Sequence, residues 1–206
     1  MKALLLGTDS SSIDVASVVV RRGGTVAYPT DTVYGLGCDP FNPDALARLA
    51  AVKERESKPI PVICASEEEA ARLVKLSPRA LAMARRYWPG PLTIVAPLRI
   101  EVHALLNQGT RWLGVRVPDD GTALALASGC GGVVTGTSAN LSGRPPARSA
   151  GDVVASLGDR IDAILDGGDR RGSESTVVRV EEEAVEVLRR GAVAFGLEIT
   201  RERLDR

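Results

Sequence analysis

Aromatic residues make up only 3% of this 206-residue chain, too few for a surface that grips bases by stacking. Neither sign of charge is in excess: 26 Lys and Arg meet 26 Asp and Glu, a formal net charge of zero. A domain that mainly holds a nucleic-acid backbone is usually clearly basic, so this balance counts against that class, although local basic clusters remain. His103 is the one histidine. A multi-histidine metal site is therefore excluded, and any Ser-His-Asp or Cys-His centre would have to use that residue. Three scattered cysteines, Cys38, Cys64 and Cys130, form no C-x-x-C pair; the pattern suits a reducing compartment and offers no disulfide or metal framework. No signal-peptide pattern opens the chain and no apolar run reaches the roughly 20 residues of a membrane span, so a soluble cytoplasmic protein is expected. Walker A and G-x-G-x-x-G patterns are also missing. Gly129-Cys130-Gly131-Gly132 precedes a strand instead of joining strand to helix, and reads as a turn.

What is present is an alternation of short β-rich runs and helical patterns, the mark of an α/β domain. Strands are expected at residues 3–6, 25–28, 61–64, 92–96, 114–117, 133–135, 163–165 and 176–180, all in one sheet. Residues 185–188 fit a hairpin partner for 176–180 across an acidic turn. Ser10–Ser12 offer caps for a helix that stops at Gly23-Gly24, and Asn42-Pro43 opens a helix carrying Leu46, Leu49 and Val52. Ser66-x-x-Glu69 is a capping-box pattern, and Ser77-Pro78 starts a helix ending near Trp88. With 44% hydrophobic residues and no repeat or low-complexity linker, residues 1–206 are expected to form one domain, with no second C-terminal domain.

Four stretches can carry chemistry. Thr30, Asp31, Thr32 and Tyr34 follow a strand, where backbone N–H groups and short polar side chains converge on ligands; a polar turn with local hydrogen bonds is the alternative. Lys53, Arg55 and Lys58 are either a solvated helix end or a clamp for phosphate oxygens. Residues 135–143, Thr-Gly-Thr-Ser-Ala-Asn-Leu-Ser-Gly, either let a ligand approach the backbone or simply bond among themselves. Ser175 and Thr176 begin another strand, followed by Arg189 and Gly191.

Taken in order, these pieces resemble the YrdC family. They are P-T-D-T-V-Y-G-L at 29–36, K-x-R at 53–55 with Lys58-Pro59, W-P-G-P-L-T at 88–93, Arg116 in V-R-V-P, S-A-N-L-S-G at 138–143, S-T-V-V at 175–178 and L-R-x-G at 188–191. The resemblance covers about residues 10–193. It implies a twisted, mixed parallel and antiparallel sheet flanked by helices around a large concave cavity. It further implies threonylcarbamoyl-AMP synthase activity, in which L-threonine, bicarbonate (or CO2) and ATP give threonylcarbamoyl-AMP and pyrophosphate. A downstream complex would pass the threonylcarbamoyl group to tRNA, so direct tRNA contact by this chain would be weak or indirect.

By the same resemblance, Thr32, Ser138 and Ser175 would hold threonine, with Thr176 the lesser candidate beside Ser175. Lys53 and Arg55 would be catalytic, and Arg55, Lys58, Arg116, Asn140, Arg148 and Arg189 would hold the nucleotide. Alanine at Lys53 or Arg55 is expected to lower turnover and leave folding intact. Magnesium would be held by phosphates and water, with no metal ligand from the protein. The chain departs from the family pattern at Glu56, at the apolar residues 62–64 and at Glu174. The departures keep a weakened paralogue among the readings. Two others are a carbamoyl-phosphate-dependent carbamoyl-adenylating domain and a non-catalytic RNA-binding module. His103, Trp88, Trp112 and Cys38 read as structural.

Overall fold

A computed structural model describes residues 2–54, 58–182 and 184–194. The first β-α-β unit runs from β1 (Leu4–Leu6) through α1 (Ser10–Arg21) to β2 (Val26–Tyr28). The α1 cap is Asp9, one residue before the expected serines, and it accepts the Ser12 N–H at 3.1 Å. The helix stops where Gly23 takes φ +82°, a left-handed conformation that side chains disfavour. After β3 (Gly35–Gly37), Asn42 caps α2 (Pro43–Val52) and Pro43 sits at its first position, as the sequence indicates. The buried face of α2 includes Leu46, Leu49 and Val52; burying each such side chain contributes about 1.5–3 kcal/mol.

The middle of the chain carries β4 (Val62–Cys64), α3 (Glu67–Leu73), α4 (Pro78–Tyr87), β5 (Leu92–Pro97), α5 (Ala104–Asn107) and β6 (Trp112–Arg116). Ser66 caps α3, but Glu69 turns its carboxylate to Arg72 at 2.8 Å, so only the serine half of the expected box is seen. The last third contains α6 (Gly121–Gly129), β7 (Val133–Thr135), β8 (Thr137–Ser138), α7 (Ala150–Leu157), β9 (Ala163–Leu165), β10 (Thr176–Val180) and β11 (Val185–Arg189). A complete capping box, not among the expected caps, opens α7 at Ser149 and Asp152. Neither α6 nor α7 is among the expected helices; the apolar residues of α6 run around it without a polar face. His103 is a local cap, its Nδ1 accepting the Leu105 N–H at 3.3 Å.

The strands form two sheets, not the single one expected. One has the order β1-β9-β2-β3-β8, the other β11-β10-β5-β6-β4-β7, and each mixes parallel and antiparallel pairs. Pairing decides this: β2 takes β9 and β3 as neighbours, whereas β5 takes β10 and β6. The expected hairpin is β10 with β11, pairing Val178 with Val187. A short local period cannot reveal such long-range choices.

The sheets are joined over glycines. Tyr28 Oη donates to the Thr135 carbonyl at 2.7 Å, tying β2 to β7. A Cβ on Gly37 would stand 2.6 Å from Val134 Cγ2 and 2.8 Å from the Tyr28 ring. Gly37→Ala is therefore expected to cost about 1–3 kcal/mol through overpacking, read as a lower urea midpoint. A pH-dependent tie holds the starts of β2 and β9, neighbours in one sheet, to α2. Burial raises the Asp162 carboxyl pKa, but the Thr25 N–H at 2.7 Å and Arg48 at 2.9 Å win and hold it below its ordinary value. The carboxylate thus stabilises the fold above its unfolded pKa of about 4, and the contribution is lost as pH falls. Asp162→Asn should destabilise the chain at pH 7, and its deficit against the wild type should shrink in melts below pH ~4.

Candidate functional site

A cleft of about 610 Å³ lies where the two sheets meet. Thr30, Thr32 and Gly35 reach it from the β2–β3 side, and Thr93, Gly114 and Arg116 from β5 and β6. Its described lining carries five basic side chains, Lys53, Lys58, Arg116, Arg144 and Arg189, against one carboxylate, Glu174. That excess suits a polyanion, which the chain's zero net charge conceals.

Arg116 is the best-determined member. It is 5% exposed and spends its guanidinium in three directions. Nε donates to the Gly90 carbonyl at 3.0 Å, Nη1 to Thr32 Oγ1 at 3.2 Å and Nη2 to Asp31 Oδ1 at 2.5 Å. Thr30 completes the turn: its Oγ1 donates to the Val33 carbonyl at 2.6 Å and accepts the Thr32 N–H at 3.1 Å. The P-T-D-T run is thus both a locally bonded turn and a cleft wall. Asp31 Oδ2 is buried without a hydrogen-bond partner among the described residues, behind the wall. Asp120, which caps α6, pairs with Arg170 at 3.0 Å; burial nevertheless lifts its carboxyl above the ordinary carboxylate range.

Lys53 ends α2 and is 3% exposed. Its ammonium donates to the carbonyls of Ser138 and Asn140 and to Asn140 Oδ1 at 3.2 Å. An ammonium owns three N–H donors, and these acceptors hold it in place. Ser138 Oγ in turn donates to Asn140 Oδ1 at 2.6 Å, and Asn140 Nδ2 to the Arg144 carbonyl. The K-x-R and S-A-N segments, 85 residues apart, are therefore one hydrogen-bonded unit. This geometry argues against the expectation that alanine at Lys53 leaves folding untouched, because buried carbonyls would lose their donor.

Across the cleft, Ser175 Oγ lies 2.9 Å from Thr93 Oγ1 and accepts from Arg189 Nη2 at 3.0 Å. Thr176 is turned away, its hydroxyl donating to the Val193 carbonyl at 2.7 Å, so Ser175 is the one at the cleft. Sequence reasoning missed Thr93 as a contact, although it closes the W-P-G-P-L-T run. Lys58 is at the rim, and Arg148 lines an adjoining shallower concavity instead of the cleft. Arg55 lies outside the described residues, as does Glu56. Cys38 is no nucleophile: burial pushes its thiol up to about 12. Trp88 packs, its indole donating to the Leu92 carbonyl at 2.7 Å, whereas Trp112 does line the cleft.

The family model named for Sua5, YciO and YrdC, with the description "Telomere recombination", matches residues 18–191. The chain belongs to this family. Among curated relatives, the threonylcarbamoyl-AMP synthase of Halorhodospira halophila is 42% identical over 163 residues, covering 78% of this chain and 85% of that protein. The Pyrococcus abyssi threonylcarbamoyl-AMP synthase is 37% identical over 184 residues; the match covers 88% of this chain but 54% of the relative. The crystal structure of P. abyssi Sua5 complexed with L-threonine superposes with a TM-score of 0.85 at 35% identity, covering 92% of this chain and 57% of that one. The mixed α/β architecture is the family's fold.

The Lys53 unit yields a direct check. Lys53→Ala should lower unfolding free energy by about 2–4 kcal/mol in urea titrations, since several buried acceptors lose their donor together. A change under about 0.5 kcal/mol would show that the unit does not hold the fold.

Proposed function

We propose that this chain is a threonylcarbamoyl-AMP synthase that takes L-threonine, bicarbonate or CO2, and ATP. The observation that carries the reading is the division of the cleft. Hydroxyls at Thr32, Ser138 and Ser175 share one space with five cations, and no cysteine or histidine lines it among the described residues. The first set suits an amino acid, the second a triphosphate. Relatives that bear the synthase name, and the match to a Sua5 complexed with L-threonine, support the same conclusion.

In this reading the threonine amine adds to CO2 and loses a proton. A carbamate oxygen then attacks the α-phosphorus of ATP, and the bond to the β-phosphate breaks as pyrophosphate leaves. Nucleophile and leaving group both come from substrates, so the protein has to orient them and stabilise charge. Arg116 fixes Thr32 by its Nη1 bond, and the paired Lys53 and Asn140 fix Ser138. Lys53, with its protons engaged, acts on the phosphates through its field, whereas Arg55, Lys58 and Arg189 make direct contacts, and Arg148 serves whatever part of the nucleotide extends into the adjoining concavity. ATP enters as its magnesium complex, the ion held by phosphate oxygens and water. No group of three His, Cys, Asp or Glu side chains gathers among the described residues.

We take the chain to work as one unit, because both sheets supply the cleft. The product would pass to a tRNA-modifying transfer complex in the cytoplasm. No helix of the described residues is long and apolar enough to cross a membrane.

Pyrophosphate release tests the reading. It should require ATP with Mg²⁺, L-threonine and bicarbonate together, and Arg55→Ala should reduce it at least about tenfold, as loss of a charge-stabilising contact does. Release driven by carbamoyl phosphate without threonine would transfer the chain to the carbamoyl-adenylating reading. Normal turnover in Arg55→Ala would remove that residue from the reaction.

A further inference from the structure

Glu174 is the one carboxylate among the described residues lining the cleft, and it also borders the shallower concavity that contains Arg148 and Arg190. It thus stands where the two spaces meet. Its Oε1 accepts from Arg189 Nη1 at 2.7 Å. The Nε and Nη2 donors of that guanidinium are anchored elsewhere: Nε to the Ser175 carbonyl at 3.1 Å, and Nη2 to the same carbonyl at 2.9 Å and to Ser175 Oγ at 3.0 Å. Arg189 is therefore held in place without Glu174. The carboxylate occupies only the Nη1 edge, which is the edge left for a ligand.

The backbone keeps Glu174 there. Its carbonyl accepts the Ala192 N–H at 2.9 Å, and a Cβ on Gly191 would come within 2.2 Å of that oxygen. The strand start and the turn after β11 are locked together by a contact only glycine permits. The side chains themselves are accessible, at 43% for Arg189 and 36% for Glu174, so an anion arriving from solvent can reach the pair.

We propose that Glu174 is a built-in competitor of the nucleotide: its carboxylate sits on the Nη1 edge of Arg189, and a phosphate-bearing ligand must displace it to take that whole edge. The inference rests on the reading of the cleft as an ATP site. A carboxylate that instead served to orient Arg189 would be redundant here, because Ser175 already does so through two acceptors. Exposed pairs of this kind are weak, so the competition sets affinity within a small factor and does not close the site.

The test is a calorimetric titration of ATP into the protein without amino acid or bicarbonate, once with EDTA and once with Mg²⁺. Glu174→Gln keeps shape and removes charge, and should tighten ATP about two- to fivefold at low salt, a gain that shrinks at high salt. In an Arg189→Ala background the same substitution should give little or no gain. An equal gain in both backgrounds would mean a diffuse field and overturn the capping role. Unchanged or weaker binding by Glu174→Gln, in either metal condition, would overturn the proposal as well. Failure of the wild-type protein to bind ATP at all would instead sink the nucleotide reading on which the proposal rests.

Discussion

The burial of Arg116 is the constraint around which the molecule is arranged. A guanidinium cannot shed its charge, so removing it from water is tolerable only when its donors find acceptors. Here the acceptors come from Gly90 and from the adjacent Asp31 and Thr32, two distant parts of the chain. Its own strand, β6, belongs to one sheet, and the Asp31–Thr32 turn leaves β2 of the other. The ion pair therefore joins the two sheets at the place where they separate to form the cleft. Buried pairs of this type are poor sources of net stability, but breaking one is expensive, which makes them suited to fixing geometry.

Lys53 repeats the principle on the other side. Its ammonium gathers two backbone carbonyls and an amide oxygen of the S-A-N loop, and that loop's own serine and asparagine bond to each other. The cleft is consequently cationic without presenting every cation for direct contact. Its inner charges are fixed and shape the field, while Lys58 and Arg189 at more accessible positions remain for ligands. A site built this way needs little reorganisation when charge moves, the condition under which electrostatic stabilisation is most effective.

The sequence disclosed local features well. The α2 and α4 caps, the β10–β11 hairpin and the strand at β4 depend on side chains near in the chain, whose hydrogen bonds and periodicity are written there. Two sheets in place of one were not legible, because which strands pair is settled by contacts over a hundred residues apart, as between Tyr28 and Thr135; α6 was not, because its apolar residues leave no polar face. Ser175 was separable from Thr176 only once their hydroxyls were seen to point to different neighbours.

The sequence by itself determined the family, through ordered motifs whose residue types suit amino-acid and phosphate recognition, and it determined the neutral overall charge. Only tertiary structure decided how those motifs share labour. It turned Lys53 into a buried tie, moved Arg148 to a neighbouring concavity, brought Thr93 to Ser175 and set Glu174 against Arg189. The physical reason is that a hydrogen bond or ion pair is specified by distance and direction, and these are fixed only when distant segments pack together.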